Sequence, residues 1–261
     1  MKKNRKAIKV TAGILAAALS MGMPMGTMGV LAENGVVKNA ETVLTNSFTG
    51  QFEKRPDNAD LSKQGSLDWV RFDSVQFGNF NRKDTLDPQI LDLKLIGASG
   101  DLTGNAETNF TYADGTSPVD APDTCKDALI FTGAGNGISF KVPGGEMKKC
   151  LDIYTGAWAA QVLVTVKVNG EEAYRTTFEA TDTTSGSPAE YQTLRLDYST
   201  PSKDDEVEVT VVVNQVYDAA WGNMNIGAIT LGTRRINEDA STIGGTIKTA
   251  PAAADLTGEG K

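Results

Sequence analysis

The chain has 261 residues, a net charge of −8 at pH 7, 22% charged and 40% hydrophobic residues, and no histidine. The absence of histidine excludes Ser-His-Asp and Cys-His nucleophile activation, histidine zinc sites and histidine general-base catalysis. The acidic balance disfavours nucleic acid and anionic membrane surfaces as partners, because both repel a negative protein surface.

Residues 1–32 have the pattern of a secretory signal peptide. A basic start, MKKNRKAIK, precedes an apolar stretch that ends in Val30-Leu31-Ala32, which predicts export and cleavage after Ala32. Glycines and a proline make this stretch poor material for the alternative, a membrane anchor. Cleavage would leave 20 Lys and Arg against 33 Asp and Glu, a net charge of −13. We expect an extracellular protein, secreted or at the cell surface, without membrane insertion after cleavage.

The rest of the chain predicts a β-rich protein. Residues 33–60 predict a linker with one edge strand at Phe48–Phe52. Between 61 and 232, short β-rich runs alternate with turn clusters, and no stretch keeps a 3.6-residue apolar period over three turns. The predicted strands are residues 67–73, 90–97, 109–114, 128–133, 137–142, 150–158, 161–170, 171–180, 191–199, 206–218 and 224–232.

Alternation and turn residues indicate how these strands pair. Valines alternate with more polar residues in 161–170 and 206–218, which is typical of strands with one buried face. Asn169-Gly170 predicts a two-residue hairpin turn. The glycine-rich segment 131–137, FTGAGNG, lacks the Gly-Lys-Ser/Thr ending of a phosphate loop and predicts a tight turn. The whole pattern predicts an all-β sandwich of two antiparallel sheets.

The last segment, residues 233–261, is rich in Ala, Thr, Gly and Pro and has no aromatic residue. It predicts a flexible linker, because it cannot bury enough apolar surface to fold alone. We therefore expect further domains downstream in a longer chain.

Cys125 and Cys150 are the two cysteines of the chain. An exported protein allows a disulfide between them, which would stabilise the fold by roughly 3 kcal/mol if unstrained. Two buried thiols are the equal alternative. Neither case makes a redox site, because there is no Cys-x-x-Cys motif.

The aromatic residues are candidates for sugar binding, since the apolar face of a sugar ring stacks on an indole or phenol ring. Trp69 falls in mid-strand, between Asp68 and Val70, and predicts a core position. Trp158 and Trp221 fall at strand ends or in loops, where binding residues tend to lie. The predicted ligand-binding residues are Trp158, Tyr217, Trp221, Asn223 and Arg82.

The acidic residues allow two further hypotheses, a glycosidase site and a calcium site. A glycosidase needs two carboxylates across a cleft, and its candidates would be Asp68, Asp73, Asp92, Glu179 and Asp197. We predict no enzyme, because nothing in the sequence shows that they converge. No cofactor is expected, although two oxygen-rich loops could hold a structural Ca²⁺ instead of forming ordinary Asx-turns. These loops are Gly100-Asp101…Asn105 and Asp120…Asp123…Asp127.

Several motifs occur in order over about residues 61–232. They are LSKQGSLDWVRFD, NRKD, LIGASGDLTG, FTYADGTSP, FTGAGNGISFKVP, LDIYTGAWAAQVLVTV and NIGAITL. This series resembles galactose-binding-like β-sandwich modules of secreted multidomain bacterial proteins, often found beside glycoside hydrolase domains. The chain departs from their pattern at Arg71 and Phe72, where a second Trp is usual, and at Tyr112.

The resemblance implies a jelly-roll sandwich and a carbohydrate-binding or architectural role. We expect a non-catalytic module that targets a larger protein to a glycan or polysaccharide. The Met- and Gly-rich second half of the predicted signal peptide resembles the long signal peptides of Gram-positive bacteria. The first alternative is an architectural or protein-interaction spacer. The second is a carboxylate-based glycoside hydrolase.

Overall fold

The computed structural model describes residues 44–72, 77–78, 80–98 and 102–233. The predicted signal peptide (1–32) lies outside these residues, as do 234–261 of the predicted linker, Asp73 and Asp101. Within the described part, no helix has both the length and the apolar character needed to cross a membrane.

The described chain is almost entirely β-structure. Its one helix, α1, is a single turn at Leu61–Gln64. The strands, in chain order, are β1 (Ser47–Lys54), β2 (Asn58–Asp60), β3 (Asp68–Phe72), β4 (Phe80–Arg82), β5 (Leu91–Ile96), β6 (Leu102–Asn105), β7 (Asn109–Thr111), β8 (Asp127–Thr132), β9 (Gly137–Pro143), β10 (Lys149–Trp158), β11 (Ala160–Val168), β12 (Glu171–Ala180), β13 (Glu190–Ser199), β14 (Glu206–Val216) and β15 (Asn223–Gly232).

Two antiparallel sheets form the sandwich. In the described residues, the larger sheet has eight strands, with the order β1-β13-β10-β15-β3-β4, and β8 joins the first half of β15 and carries β6. The smaller sheet has five strands in the order β12-β11-β14-β9-β5. These findings confirm the predicted all-β sandwich.

The main core fills the space between the two sheets. In β11 and β14 the valines at every second position are buried, while most of the residues between them are more exposed, as the alternation predicted. Aromatic contacts close one edge of the sandwich, because Phe52 of β1 packs on Phe178 of β12 with ring centroids 4.7 Å apart. Burial of this apolar surface supplies most of the folding free energy.

A second core lies on the other face of the larger sheet. Strands β3 and β15 are buried on both faces, or nearly so, which a single sandwich core does not require. The covering layer consists of α1 and a parallel pair formed by β2 and β7. Trp69, Phe110 and Tyr154 pack in this core, and the ring centroids of Phe110 and Tyr154 are 5.2 Å apart. The sequence analysis did not predict this layer.

Each of the predicted strands overlaps an observed one. The Asn169-Gly170 turn joins β11 to β12, and both residues have positive φ, 52° and 87°, as a two-residue hairpin requires. Gly133 and Gly135 likewise have positive φ in the turn between β8 and β9. The elements that the sequence analysis missed are β2, β4, β6 and α1, each of three or four residues.

The two cysteines lie in different parts of the fold. Cys125 packs in the second core, and Cys150 lies in β10 opposite Asp197 and Gly232. Both are buried thiols, and no disulfide joins these two described residues. Of the two alternatives drawn from the sequence, the structure has the buried thiols.

Candidate functional site

Two connections cross between the sheets at the same corner of the sandwich. Ala159 joins β10 to β11, and residues 217–222 join β14 to β15. The Ala159 carbonyl accepts the backbone N–H of Tyr217 at 2.7 Å, which ties the two connections together. Gly222 permits this approach, because a Cβ atom there would lie 2.7 Å from the carbonyl oxygens of Ala159 and Asp218.

The loop between β14 and β15 holds a tryptophan in solvent. Asp218 Oδ1 accepts the backbone N–H groups of Ala220 and Trp221, both at 2.9 Å, and the Asp218 carbonyl accepts from Gly222. Asn223 Nδ2 donates to the Trp221 carbonyl at 2.8 Å. These local bonds fix the backbone on both sides of Trp221, whose side chain is 66% exposed. A large apolar ring is thus displayed by an ordered loop.

Trp158 is the last residue of β10 and lies beside the first residue of β15. It pairs with Asn223 of β15, so the two side chains share one face of the larger sheet. The Trp158 indole Nε1 donates to the hydroxyl and carbonyl oxygens of Ser187, at 3.0 and 3.1 Å. Trp158 is half-buried. Its ring is therefore oriented by the loop between β12 and β13.

Tyr217 begins the same loop and is held by polar groups of the smaller sheet. Its hydroxyl donates to Glu179 Oε2, which also accepts from Gln161 Nε2 at 3.1 Å. Gln161 Oε1 in turn accepts from Asn214 Nδ2 at 2.6 Å. The hydrogen bonds from Tyr217 and Gln161 lower the pKa of Glu179, and the same bond to Glu179 raises the pKa of Tyr217. The carboxylate is ionised at neutral pH and remains open to solvent.

The structure thus brings together four of the five predicted ligand-binding residues. We call Trp158, Tyr217, Trp221 and Asn223 the corner rim. Trp158 and Asn223 lie on the outer face of the larger sheet, since Ala157 and Met224 beside them face the core, whereas Tyr217 bonds to Glu179 of the smaller sheet. The rim thus carries aromatic rings and an amide on fixed backbone. Such a combination can stack on the apolar face of a sugar ring and hydrogen-bond its hydroxyl groups.

Arg82, the fifth predicted residue, lies elsewhere. It pairs with Val70, and Val70 pairs with Ile229, which is six positions, or about 20 Å, along β15 from Asn223. The Arg82 Nη2 donates to Asp68 Oδ2 at 2.7 Å and to the Ile90 carbonyl at 3.2 Å. Its side chain is held in a structural ion pair away from the corner rim.

The neighbours of Arg82 are also structural. Asn81 Oδ1 accepts from the backbone of Thr116 and Ser117, both at 3.1 Å, and so fixes a loop. Lys83 donates to Asp114, which also accepts the Trp69 indole N–H at 2.9 Å. Trp69 is fully buried, as its mid-strand position predicted.

The candidate catalytic carboxylates are dispersed. Asp92 and Glu179 lie on the two opposite edge strands of the smaller sheet, β5 and β12. Asp68 and Asp197 lie on β3 and β13 of the larger sheet, which are three strand spacings, or about 14 Å, apart. Within each sheet, the two carboxylates therefore lie on strands that are not neighbours.

Of the loops considered for Ca²⁺, Gly100 and Asp101 lie outside the described residues. Within the described ranges, no three or more acidic, cysteine or histidine side chains come together in a way that could hold a metal ion. Asp127, which ends one of these loops, has its carboxylate 3.6 Å from Arg71 Nη2. The Asp127 carboxylate thus faces an arginine, and the structural Ca²⁺ stays an expectation.

A cavity of about 300 Å³ lies beside the corner rim, and the sequence analysis did not find it. It is formed by residues 54–57, Glu107, Ala189 and Tyr191. Arg55, on its wall, is only 5% exposed. The sequence analysis placed this arginine in a predicted linker and therefore did not identify it as a site residue.

Comparisons with known proteins give distant likenesses. The sequence matches no protein-family model and no curated protein. Among solved structures, the chain is similar to carbohydrate-binding module CBM36 in complex with calcium and xylotriose, with a TM-score of 0.28 and 13% identity over 54% of this chain and 100% of that one.

Two further likenesses concern parts of much larger chains. One is the enzymatically active domain of bacteriophage CBA120 tailspike protein 4, with a TM-score of 0.32 and 13% identity over 54% of this chain and 19% of that one. The other is a Paenibacillus cycloisomaltooligosaccharide glucanotransferase complexed with cycloisomaltoheptaose, with a TM-score of 0.26 and 17% identity over 55% of this chain and 18% of that one. Likenesses this distant carry no argument about function, which has to come from the site.

Proposed function

We propose that this chain is an exported, non-catalytic carbohydrate-binding module whose ligand site is the corner rim. The observation that carries the proposal is the display of Trp221. Its indole is 66% exposed, although burial of such a ring would release about 2–3 kcal/mol, and its backbone is fixed by Asp218 and Asn223. An ordered, exposed tryptophan is suited to stacking on a sugar ring.

Polar groups around this ring supply the second half of sugar recognition. Asn223 carries an amide that can exchange hydrogen bonds with sugar hydroxyls. The backbone order of the loop reduces the entropy cost of binding. A single site of this kind gives weak affinity, in the range of about millimolar to micromolar dissociation constants, because hydroxyl groups are costly to desolvate.

Weak single-site affinity fits a module that acts beside other domains. In this proposal the module holds a larger secreted or cell-surface protein on a polysaccharide, and the attached domains carry any catalysis. Increasing the number of modules on one chain or one surface then raises the overall affinity.

A glycan array with the purified domain, residues 33–261, tests the proposal. We expect binding to a defined group of glycans, lost in Trp221→Ala. Leu86→Ala is the control, because Leu86 is also an exposed large apolar residue but lies in the loop after β4, away from the corner rim. Absence of array signal at high protein concentration, or equal signals for the two variants, would overturn the proposal. The first result would instead favour an architectural spacer.

A further inference from the structure

The cavity beside the corner rim contains an arginine with an unusual environment. Arg55 follows β1, and its Nη1 donates to the Ala106 carbonyl. The guanidinium lies over the ring of Tyr191, with Cζ 5.2 Å from the ring centroid. Among the described residues, none accepts a hydrogen bond from Arg55 Nε or Nη2.

These two nitrogens form one edge of the guanidinium. Their N–H groups point in parallel and match the spacing of the two oxygens of a carboxylate. A buried donor without an acceptor costs about 1–3 kcal/mol, and more when it is charged. Both nitrogens are covered by protein, so the guanidinium has to turn toward the cavity to meet a ligand.

The charge of Arg55 persists at neutral pH. Burial lowers the pKa of its guanidinium to about 9, while Tyr191, Tyr154 and Glu107 act in the opposite direction. Glu107 also lines the cavity and forms its own contact within the protein. The cavity wall therefore carries the cation Arg55 and the anion Glu107. Glu107 would repel an anionic ligand of Arg55.

The cavity lies close to Trp158 of the corner rim along the larger sheet. Tyr191 pairs with Gly156, which lies two residues, or about 7 Å, before Trp158 on the same face of β10. Gly156 leaves room there, since a Cβ atom would lie 2.7 Å from Tyr191 Cδ1. Ala189 of the cavity lies two residues after Ser187, which accepts the Trp158 indole N–H.

We infer that this cavity binds the carboxylate of a uronic acid residue, with the Nε and Nη2 edge of Arg55 as its partner, so that the corner rim selects acidic glycans. The inference rests on the proposed function and specifies its substrate class. Neutral sugars offer no carboxylate to Arg55, whereas a uronic acid does. The net negative charge of the protein does not prevent a carboxylate from binding here, because Arg55 is a nearby, desolvated cation.

The test uses matched sugars that differ in one group. Glucuronic acid and galacturonic acid are titrated into the purified domain, residues 33–261, beside glucose, galactose and the methyl esters of the two acids, with binding followed by NMR chemical shifts at 0.15 M salt. We expect at least one acid to bind about tenfold or more tightly than both its neutral counterpart and its ester. An ester that binds as tightly as the acid would overturn the inference, and this comparison needs no variant.

Variants then locate the partner. Arg55→Met, which removes the charge at similar size, is expected to reduce acid binding to the level of the neutral sugar. Arg55→Lys keeps the charge without the two-pronged edge, and serves if Arg55→Met does not fold; we expect at least a several-fold loss. Retention of the acid preference in the folded variant would contradict the assignment.

Glu107→Gln and Trp221→Ala complete the experiment. Removal of the Glu107 charge should strengthen acid binding a few-fold, and unchanged or weaker binding would contradict a carboxylate site beside it. Trp221→Ala should weaken acidic and neutral sugars alike. If neutral glycans bind at the corner rim without any acid preference, this inference fails and the proposed function stands. If no sugar and no array glycan binds, the proposed function fails as well.

Discussion

Arg82 donates to Asp68 across a short hairpin, with 2.7 Å between Nη2 and Oδ2. The same carboxylate oxygen accepts the backbone N–H groups of Gln89 and Ile90, both at 2.8 Å. Asp68 is fully buried. One ion pair therefore fixes β3, β4 and the loop that follows β4, and it explains the structural role of an arginine that the sequence placed among the binding residues.

Replacing Asp68 should destabilise the fold strongly. Asp68→Ala leaves Arg82 and two backbone N–H groups without their acceptor, which we expect to cost about 3–5 kcal/mol of unfolding free energy. Urea denaturation followed by fluorescence measures the loss. Asp123→Asn, at an exposed position, is the control and should change the unfolding free energy by less than about 0.5 kcal/mol. A similar small change in both variants would show that the ion pair does not hold this region.

Asp114 should make the fold sensitive to acid. Burial would raise its pKa, but hydrogen bonds from Lys83, Ser62 and Trp69 outweigh this effect, so the folded-state pKa lies below the ordinary value. A carboxylate with a lowered folded-state pKa stabilises the protein above its unfolded pKa of about 4, and this stabilisation is lost as the pH falls through the folded value.

We therefore expect the unfolding free energy to fall between about pH 5 and pH 2, and to fall less steeply in Asp114→Asn. Urea titrations at a series of pH values compare the two slopes, again with Asp123→Asn as the control. Parallel pH profiles for wild type and Asp114→Asn would count against this role of Asp114.

Two glycines of the FTGAGNG segment should respond differently to alanine. At Gly137 a Cβ atom would overlap the backbone carbonyl of Val211 on the neighbouring strand, so Gly137→Ala has to push two strands apart. We expect a loss of several kcal/mol or failure to fold. At Gly135 nothing lies within 4 Å of such an atom, and only its φ of 85° opposes alanine, at about 1–2 kcal/mol. Thermal unfolding of the two variants checks the order, and a smaller loss for Gly137→Ala would contradict it.

The sequence predicted the strands because alternation and turn residues act locally. Asn169-Gly170 and the valines of β14 carry their own structural signal. The short elements β2, β4 and α1 carry too few residues for such a pattern. The second core was also missed, although the nearly continuous apolar run of β15 is typical of a strand that is covered on both faces.

The sequence could predict those residues of the candidate site that lie at strand ends. Trp158 and Trp221 could be assigned to strand ends or loops, but only the sheet order shows that β10 and β15 are neighbours. The partner of Arg82 could not be predicted, because Asp68 lies 14 residues away and only the register of β3 and β4 brings the two together. Arg55 was missed because its chemistry comes from burial, which a polar segment does not show.

The most direct test of the account observes the three tryptophans separately. In a ¹H–¹⁵N spectrum, Trp69, Trp158 and Trp221 each give one indole N–H signal, which Trp-to-Phe variants assign. On titration with the glycan that gives the strongest array signal, we predict that the Trp221 signal shifts most and the Trp158 signal shifts with it. The signal of the buried Trp69 should stay in place. A bound glycan that leaves the Trp221 signal unchanged would show that the corner rim is not the binding site.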